Sequence, residues 1–283
     1  MALIVSDNIA SAAGVFTTNQ VYAAPVKLCK EHLINNQAKA IIVNSGVANA
    51  CTGKEGYDSA VEMAKETAKQ LQCNSTDVLV CSTGKIGPQL PMDKIKLGIF
   101  DLCKSLSENN LDITSKAIMT TDTHPKIVTK SIFLNNQKIT ITGVAKGAGM
   151  IEPNMATMLA FIMTDAKINS FDLNKCLKDA VDVSFNRITV DGDQSTNDTV
   201  LMLANGLDDR YELNPTSKEW NDFTIALKEV CFELAMMIVH DGEGADRFIT
   251  LKVIGALNDK EADIAARSVA NSLLNKTAWA GSY

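Results

Sequence analysis

A mixed α/β architecture is what this 283-residue chain predicts. Short apolar runs with strand character alternate with segments of helical period. Two strand-like runs meet at an Asn-Asn turn, which puts antiparallel pairing into the sheet. The alternation continues along the chain without an internal repeat or a low-complexity linker. Taken in order, residues 40–43 (Ala-Ile-Ile-Val) read as a strand. Residues 57–72 read as an amphipathic helix, with Ala60, Met63, Ala64 and Ala68 on one stripe. Residues 77–80 are the next strand. Residues 91–106 form a second helix, with Pro91 in the first turn, where its missing N–H costs nothing. Residues 130–134 and 138–142 make a hairpin about Asn135 and Asn136. The run 158–163 has the length and bounds of a buried strand. Residues 173–185 and 220–240 are helical, 248–254 a strand, and 260–275 a final helix.

Composition narrows the function classes. The hydrophobic fraction is 46%, enough for a substantial core, but only 5% is aromatic, so aliphatic and methionine packing must fill it. A net charge of −6 argues against a nucleic-acid groove, which needs a basic surface. No apolar run approaches the length of a membrane span. The N-terminus lacks the basic region, apolar core and cleavage site of a secretory signal, so a cytoplasmic protein is expected. The seven cysteines are odd in number and none is spaced C-x-x-C. Reduced, mostly buried thiols are therefore expected rather than a disulfide framework or a zinc site, and no metal is assigned. His32, His124 and His240 lie far apart in sequence, which weakens a histidine metal cluster and a Ser-His-Asp scheme alike.

The segment Lys146-Gly-Ala-Gly-Met-Ile-Glu-Pro-Asn-Met-Ala-Thr-Met-Leu159 carries the chemistry. Its glycines, proline and asparagine shape a loop that delivers Thr157 to the start of an apolar strand. A threonine there is ordinarily just a β-branched residue entering a sheet. Cutting the Ala156–Thr157 bond would change that. Thr157 would gain an α-amine, a group that titrates at roughly 7.7–8.0 and can act as a base near neutrality. An amine on the same residue can activate the hydroxyl, and no histidine is then required. Lys146 beside Gly147-Ala-Gly149 lacks the Walker spacing of a phosphate loop. Asp191-Gly-Asp193 suggests a calcium loop, but the twelfth position, which should be glutamate, is Met202. A hydrogen-bonded structural loop is the better reading there.

Further stretches accompany this segment in order: Ala23-Ala-Pro25, Val43-Asn-Ser-Gly-Val-Ala-Asn-Ala-Cys-Thr-Gly53, Ser82-Thr-Gly-Lys-Ile-Gly87, Met119-Thr-Thr-Asp-Thr123, Ser184-Phe-Asn-Arg-Ile-Thr-Val-Asp-Gly-Asp193, Ser195-Thr-Asn-Asp198 and Asp241-Gly-Glu-Gly244. Together they resemble the ornithine acetyltransferase family, the glutamate N-acetyltransferases of arginine biosynthesis, over essentially the whole chain. The resemblance implies a layered α/β sandwich of the aminopeptidase and ornithine acetyltransferase kind, an N-terminal-nucleophile fold, truncated here at both ends. It implies self-cleavage between Ala156 and Thr157. The products would be an α portion, 1–156, and a β portion, 157–283, that begins with the nucleophile and lacks its C-terminal part. It further implies that the portions stay associated, two α with two β chains, and that no cofactor is used. Thr157 would be nucleophile and substrate contact, and Thr83 and Gly84 the oxyanion hole. Lys146, Glu243 and a threonine best matched by Thr123 would bind substrate, the choice among Thr120, Thr121 and Thr123 staying open. Lys146 suits a substrate carboxylate and Glu243 the side-chain amine of ornithine. The implied substrates are N2-acetylornithine and glutamate, with acetyl-CoA as an additional donor in some relatives. Two other readings remain: an N-terminal-nucleophile amidohydrolase or aminopeptidase with water as acceptor, and an inactive amino-acid-binding scaffold.

Overall fold

The computed structural model describes residues 1–134, 137–152, 158–206 and 212–281. Strand β1 (Ala2–Phe16) runs through the middle of a seven-stranded mixed sheet. Its first half pairs antiparallel with β2 (Gln37–Val47), and its second half pairs antiparallel with β8 (Thr199–Ala204). The register shift between Val5 and Ala10 lets one strand serve both partners. β3 (Val78–Lys85) lies parallel to β2 at one edge. Beyond β8 come β6 (Leu159–Thr164), β5 (Gln137–Lys146) and the edge strand β4 (Lys126–Leu134). β6 is parallel to β8, whereas β4, β5 and β6 are joined antiparallel. β7 (Lys167–Ile168) and β9 (Glu212–Leu213) form a separate short pair.

Helices cover the sheet where its strands are apolar. α2 (Gly53–Leu71) and α3 (Met92–Lys104) bury Met63, Ala64, Ile95 and Ile99 against Ala40, Ile42, Val78 and Val80. α5 (Ser170–Asp182) and α6 (Trp220–His240) bury Leu177, Leu227, Val230 and Leu234 against Ala160, Ile162, Val200 and Met202. The alternate residues of the same strands, Leu159, Phe161, Leu201 and Leu203, build the opposite face with Val144 and Ile118. α1 (Ala24–His32) and the short α4 (Leu111–Ala117) complete the layers. The expected strands at 40–43 and 77–80, the helices at 57–72, 91–106 and 220–240, and the antiparallel pairing of 130–134 with 138–142 all have counterparts here. The Asn135-Asn136 turn lies outside the described residues. α5 begins earlier than expected because Asn169 caps it, its Oδ1 accepting the Asp172 N–H at 3.0 Å.

Two expectations are corrected. Residues 248–254 form no strand. Their apolar run pairs with no strand; Phe248 instead stacks on His240 at 4.7 Å and Ile254 is 80% exposed. The final helix is two helices: α7 (Asp259–Ala270) ends before Asn271 and Ser272, and α8 (Leu273–Gly281) follows. All seven cysteines are free thiols. Among the described residues no helix is long and apolar enough to cross a membrane.

Candidate active site

The C-terminal ends of β3 and β5 converge on one cleft of about 620 Å³, whose lining includes Thr83, Gly84, Thr120, Thr121, Lys146 and Glu243. β3 delivers Thr83 and Gly84. Gly84 is paired with Gly46 of β2 and has φ +127°, a conformation open to glycine. A Cβ at Gly84 would lie 2.3 Å from the Gly46 carbonyl carbon, so a side chain cannot enter where these strands close up. Asn197 holds this end of the sheet from behind, donating to the Ser82 carbonyl at 2.8 Å and the Ala48 carbonyl at 2.7 Å.

β5 delivers Lys146, which is only 2% exposed. Its Nζ donates to Thr83 Oγ1 at 3.1 Å and to Thr120 Oγ1 at 2.9 Å. Burial pushes the Lys146 amine below its ordinary value, while the carboxylates of Asp122 and Glu243 oppose that push. The next residue, Gly147, donates its N–H to Asp122 Oδ1 at 2.6 Å. Asp122 Oδ2 accepts the Thr120 N–H at 3.1 Å, so one carboxylate fixes both the lysine strand and the threonine loop. Burial alone would raise the Asp122 carboxyl, but the Lys146 charge and the bond from Lys126 outweigh it and hold the group below the usual carboxylate range.

Lys126 is fully buried and joins Asp122 Oδ1 at 2.7 Å to Asp241 Oδ2 at 2.5 Å. Asp241 in turn accepts the Thr123 N–H at 3.1 Å and the Thr123 hydroxyl. Burial pushes Asp241 up, but the Lys126 bond and the two Thr123 bonds leave it below the usual range. Two residues on, the Glu243 N–H donates to the Ala148 carbonyl at 2.8 Å. The Glu243 carboxylate sits against Gly149, where a Cβ would come within 2.5 Å of it. Gly149 is thus small so that the acid can approach the loop after Lys146.

Thr83, Gly84, Lys146 and Glu243 therefore meet in one place. Thr123 is held on Asp241, while Thr120 and Thr121 of the same loop line the cleft. Ala156 and Thr157 lie outside the described residues. Their flanks are well anchored. Asp191 accepts the Met150 N–H at 2.5 Å and the Ile151 N–H at 2.8 Å. Asp198 Oδ1 accepts the Met158 N–H at 3.1 Å, and Thr199 N–H donates to the Met158 carbonyl at 3.2 Å. The β5–β6 register sets Lys146 opposite Leu159, two residues past Thr157. Asp198 is fully buried, and burial pushes its carboxyl well above the usual range, beyond what the Met158 N–H and the nearby Ser195 and Thr17 hydroxyls recover.

The residues not singled out from sequence are Asp122, Lys126 and Asp241 as a charged triad, and Asp198 as a fully buried acid. The only sequence sign was the crowding of short polar groups in 119–126 and of aspartates in 191–198. A hollow of about 280 Å³ beside Thr189 and Trp279 shares Glu243 but none of Thr83, Thr120 or Lys146. Among the described residues no group of three His, Cys, Asp or Glu side chains is placed to hold a metal.

Comparison with known proteins agrees over the full length. A family model described as the ArgJ family matches residues 1–283. The arginine biosynthesis bifunctional protein ArgJ of Geobacter sulfurreducens is 48% identical over 281 residues, covering 99% of this chain and 72% of that protein. The crystal structure of the protein of the same name from Bacillus halodurans is 43% identical, with a TM-score of 0.51 over 54% of this chain and 81% of that one. An L-aminopeptidase D-Ala-esterase/amidase from Ochrobactrum anthropi, described as a variant of the Ntn hydrolase fold, is 9% identical at TM-score 0.50 over 85% of this chain and 77% of that one. That last likeness is one of fold alone. On the family match over residues 1–283 and on the 48% identity that spans 99% of it, this chain belongs to the ArgJ family.

Proposed function

We propose that this protein transfers an acetyl group from N2-acetylornithine to glutamate, in arginine biosynthesis, through an acetyl ester on Thr157. The observation that carries the reading is the cleft itself: in a chain of this family, two hydroxyl and backbone donor positions, a buried ammonium and an acid converge beside the start of β6. Self-cleavage comes first. The Thr157 hydroxyl attacks the Ala156 carbonyl, and the C–N bond breaks to leave an ester and a free α-amine. Water then opens the ester, giving the Ala156 carboxylate and restoring the hydroxyl. The portions 1–156 and 157–283 stay together, as two α and two β chains in the cytoplasm.

In turnover the Thr157 α-amine takes the hydroxyl proton as the oxygen attacks the acetyl carbonyl. Negative charge develops on the acetyl oxygen, and Thr83 with Gly84 receives it. The amide C–N bond breaks, the proton passes to the departing nitrogen, and ornithine leaves. The α-amine of glutamate then attacks the ester, the C–O bond breaks, and the proton that the attacking nitrogen loses passes through the Thr157 α-amine to the threonine oxygen. One amide replaces another, so no external energy source is needed, and the covalent halves predict ping-pong kinetics. Glu243 holds the ornithine side-chain amine, and the threonines of 120–123 contact the amino-acid backbone. Acetyl-CoA serves as a second acetyl donor in the same half-reaction.

The test is product analysis. Wild type incubated with N2-acetylornithine and glutamate should form N-acetylglutamate and ornithine in equal amounts, and Thr157→Ala should form neither. Release of acetate at the same rate with or without glutamate would make water the acceptor and the protein a hydrolase.

A further inference from the structure

Lys146 can only donate hydrogen bonds as an ammonium, whereas a threonine hydroxyl has one hydrogen and two lone pairs. Thr83 Oγ1 and Thr120 Oγ1 each give a lone pair to the same Nζ, at 3.1 and 2.9 Å. Each hydroxyl therefore keeps its own hydrogen. Among the described residues, neither hydrogen has an acceptor. Both threonines line the cleft, and the ammonium behind them is 2% exposed. These two hydroxyls take two of the three ammonium hydrogens, which leaves at most one for a substrate carboxylate. The carboxylates of Asp122 and Glu243 oppose the loss of this charge that burial favours.

We infer that Lys146 is a positioning residue for the acyl-transfer step: it turns the Thr83 and Thr120 hydroxyls into donors aimed at the acyl oxygen, rather than anchoring a substrate carboxylate. Thr120 thereby joins Thr83 and Gly84 as a donor to the oxyanion. The inference rests on the acetyl-transfer reading and departs from the carboxylate role that the sequence suggested for Lys146. A donor whose direction is set in advance is worth more than one that must reorient during reaction. A buried positive charge behind the hydroxyl also makes its hydrogen a stronger donor.

The experiment compares N2-acetylornithine with p-nitrophenyl acetate, an acetyl donor that has no carboxylate. Lys146→Met should lower kcat on both donors by about 10- to 100-fold, less than the ~10²–10³ lost with an oxyanion donor itself, and leave KM for acetylornithine within about threefold. Thr83→Val should lose rate on both donors, and adding Lys146→Met to it should cost less than Lys146→Met costs alone, because only the Thr120 hydroxyl is then left for the lysine to orient. Should Lys146→Met not accumulate as folded protein, Lys146→Gln, a shorter neutral donor, takes its place and should fall between wild type and Thr83→Val. Loss confined to acetylornithine and carried by KM, with nitrophenolate release unchanged, would overturn the inference in favour of a carboxylate anchor. Additive losses in the double variant would overturn it too. A wild type that takes acetyl from the nitrophenyl ester but not from acetylornithine would sink the ornithine reading and leave this inference standing. A wild type no faster than Thr157→Ala on the ester would overturn both.

Discussion

A few residues in the cleft have no substitute, and the reasons are geometric. Gly84 has φ +127° and backbone 2.3 Å from where a Cβ would sit. Gly84→Ala should push the β3 end off Gly46, misplace the adjoining donors and cut turnover by about 10²-fold, read as kcat in protein that still folds. Unchanged turnover would remove Gly84 from the oxyanion hole. Glu243→Gln should weaken acetylornithine use and cost an acetylated amino acid with an uncharged side chain less. Equal losses would make Glu243 structural. Asp198 gives a prediction of opposite sign. Its carboxyl is raised well above the usual value by burial, so the folded protein holds a proton there that the unfolded chain releases above about pH 4. Stability from this group is therefore full below about pH 4 and is lost as pH rises toward the folded value. Asp198→Asn, neutral at every pH, should be more stable than wild type at pH 7, with the gain shrinking as pH falls toward about 4. Melting temperatures across that range measure it; a difference that does not vary with pH would mean that Asp198 is ionised.

At the scale of elements, the cleft depends on three segments meeting, and Lys126 is where they meet. It ties Asp122, which holds Gly147 and Thr120, to Asp241, which holds Thr123 and precedes Glu243. Removing one partner of a buried ion cluster leaves charge uncompensated, at a cost of about 3–5 kcal/mol. Lys126→Met should lower stability by that order in denaturant unfolding, and Lys126→Met with Asp122→Asn and Asp241→Asn should recover much of it. A triple variant no better than the single one would mean that the triad is not an electrostatic unit. Both carboxyls lie below their ordinary value in the folded protein. Their contribution is present above about pH 4 and is lost as pH falls through the folded values. The loop 190–199 plays a related part on the other side, since Asp191 and Asp198 hold the chain before and after the segment 153–157.

For the whole molecule, sequence made the mixed α/β class legible through helical stripes and short apolar runs, which are local patterns, whereas Thr83, Gly84, Lys146 and Glu243 were legible as site residues only through the ordered motifs that carry the family resemblance. What it did not reveal depends on distant partners. β1 was not predicted: Asp7 and Asn8 interrupt its apolar run, and Ala10, Ala12, Ala13 and Gly14 have weak strand preference. Pairing with β2 and β8 overrides both. Residues 248–254 have strand composition but pair with no strand of the sheet. Lys126 reads as a surface charge until Asp241, 115 positions away, closes on it. The two portions on either side of Ala156–Thr157 share the sheet, since β6 and β8 lie between β1 and β5. Cutting that bond should therefore leave the portions together through native purification. The most direct test of the account is the mass spectrum of purified protein, before and after incubation with N2-acetylornithine in the absence of glutamate. The account predicts two polypeptides with masses of 1–156 and 157–283, and one acetyl group on the second, localised to Thr157 and discharged by adding glutamate. A single intact chain, or two portions that take up no acetyl, would contradict it.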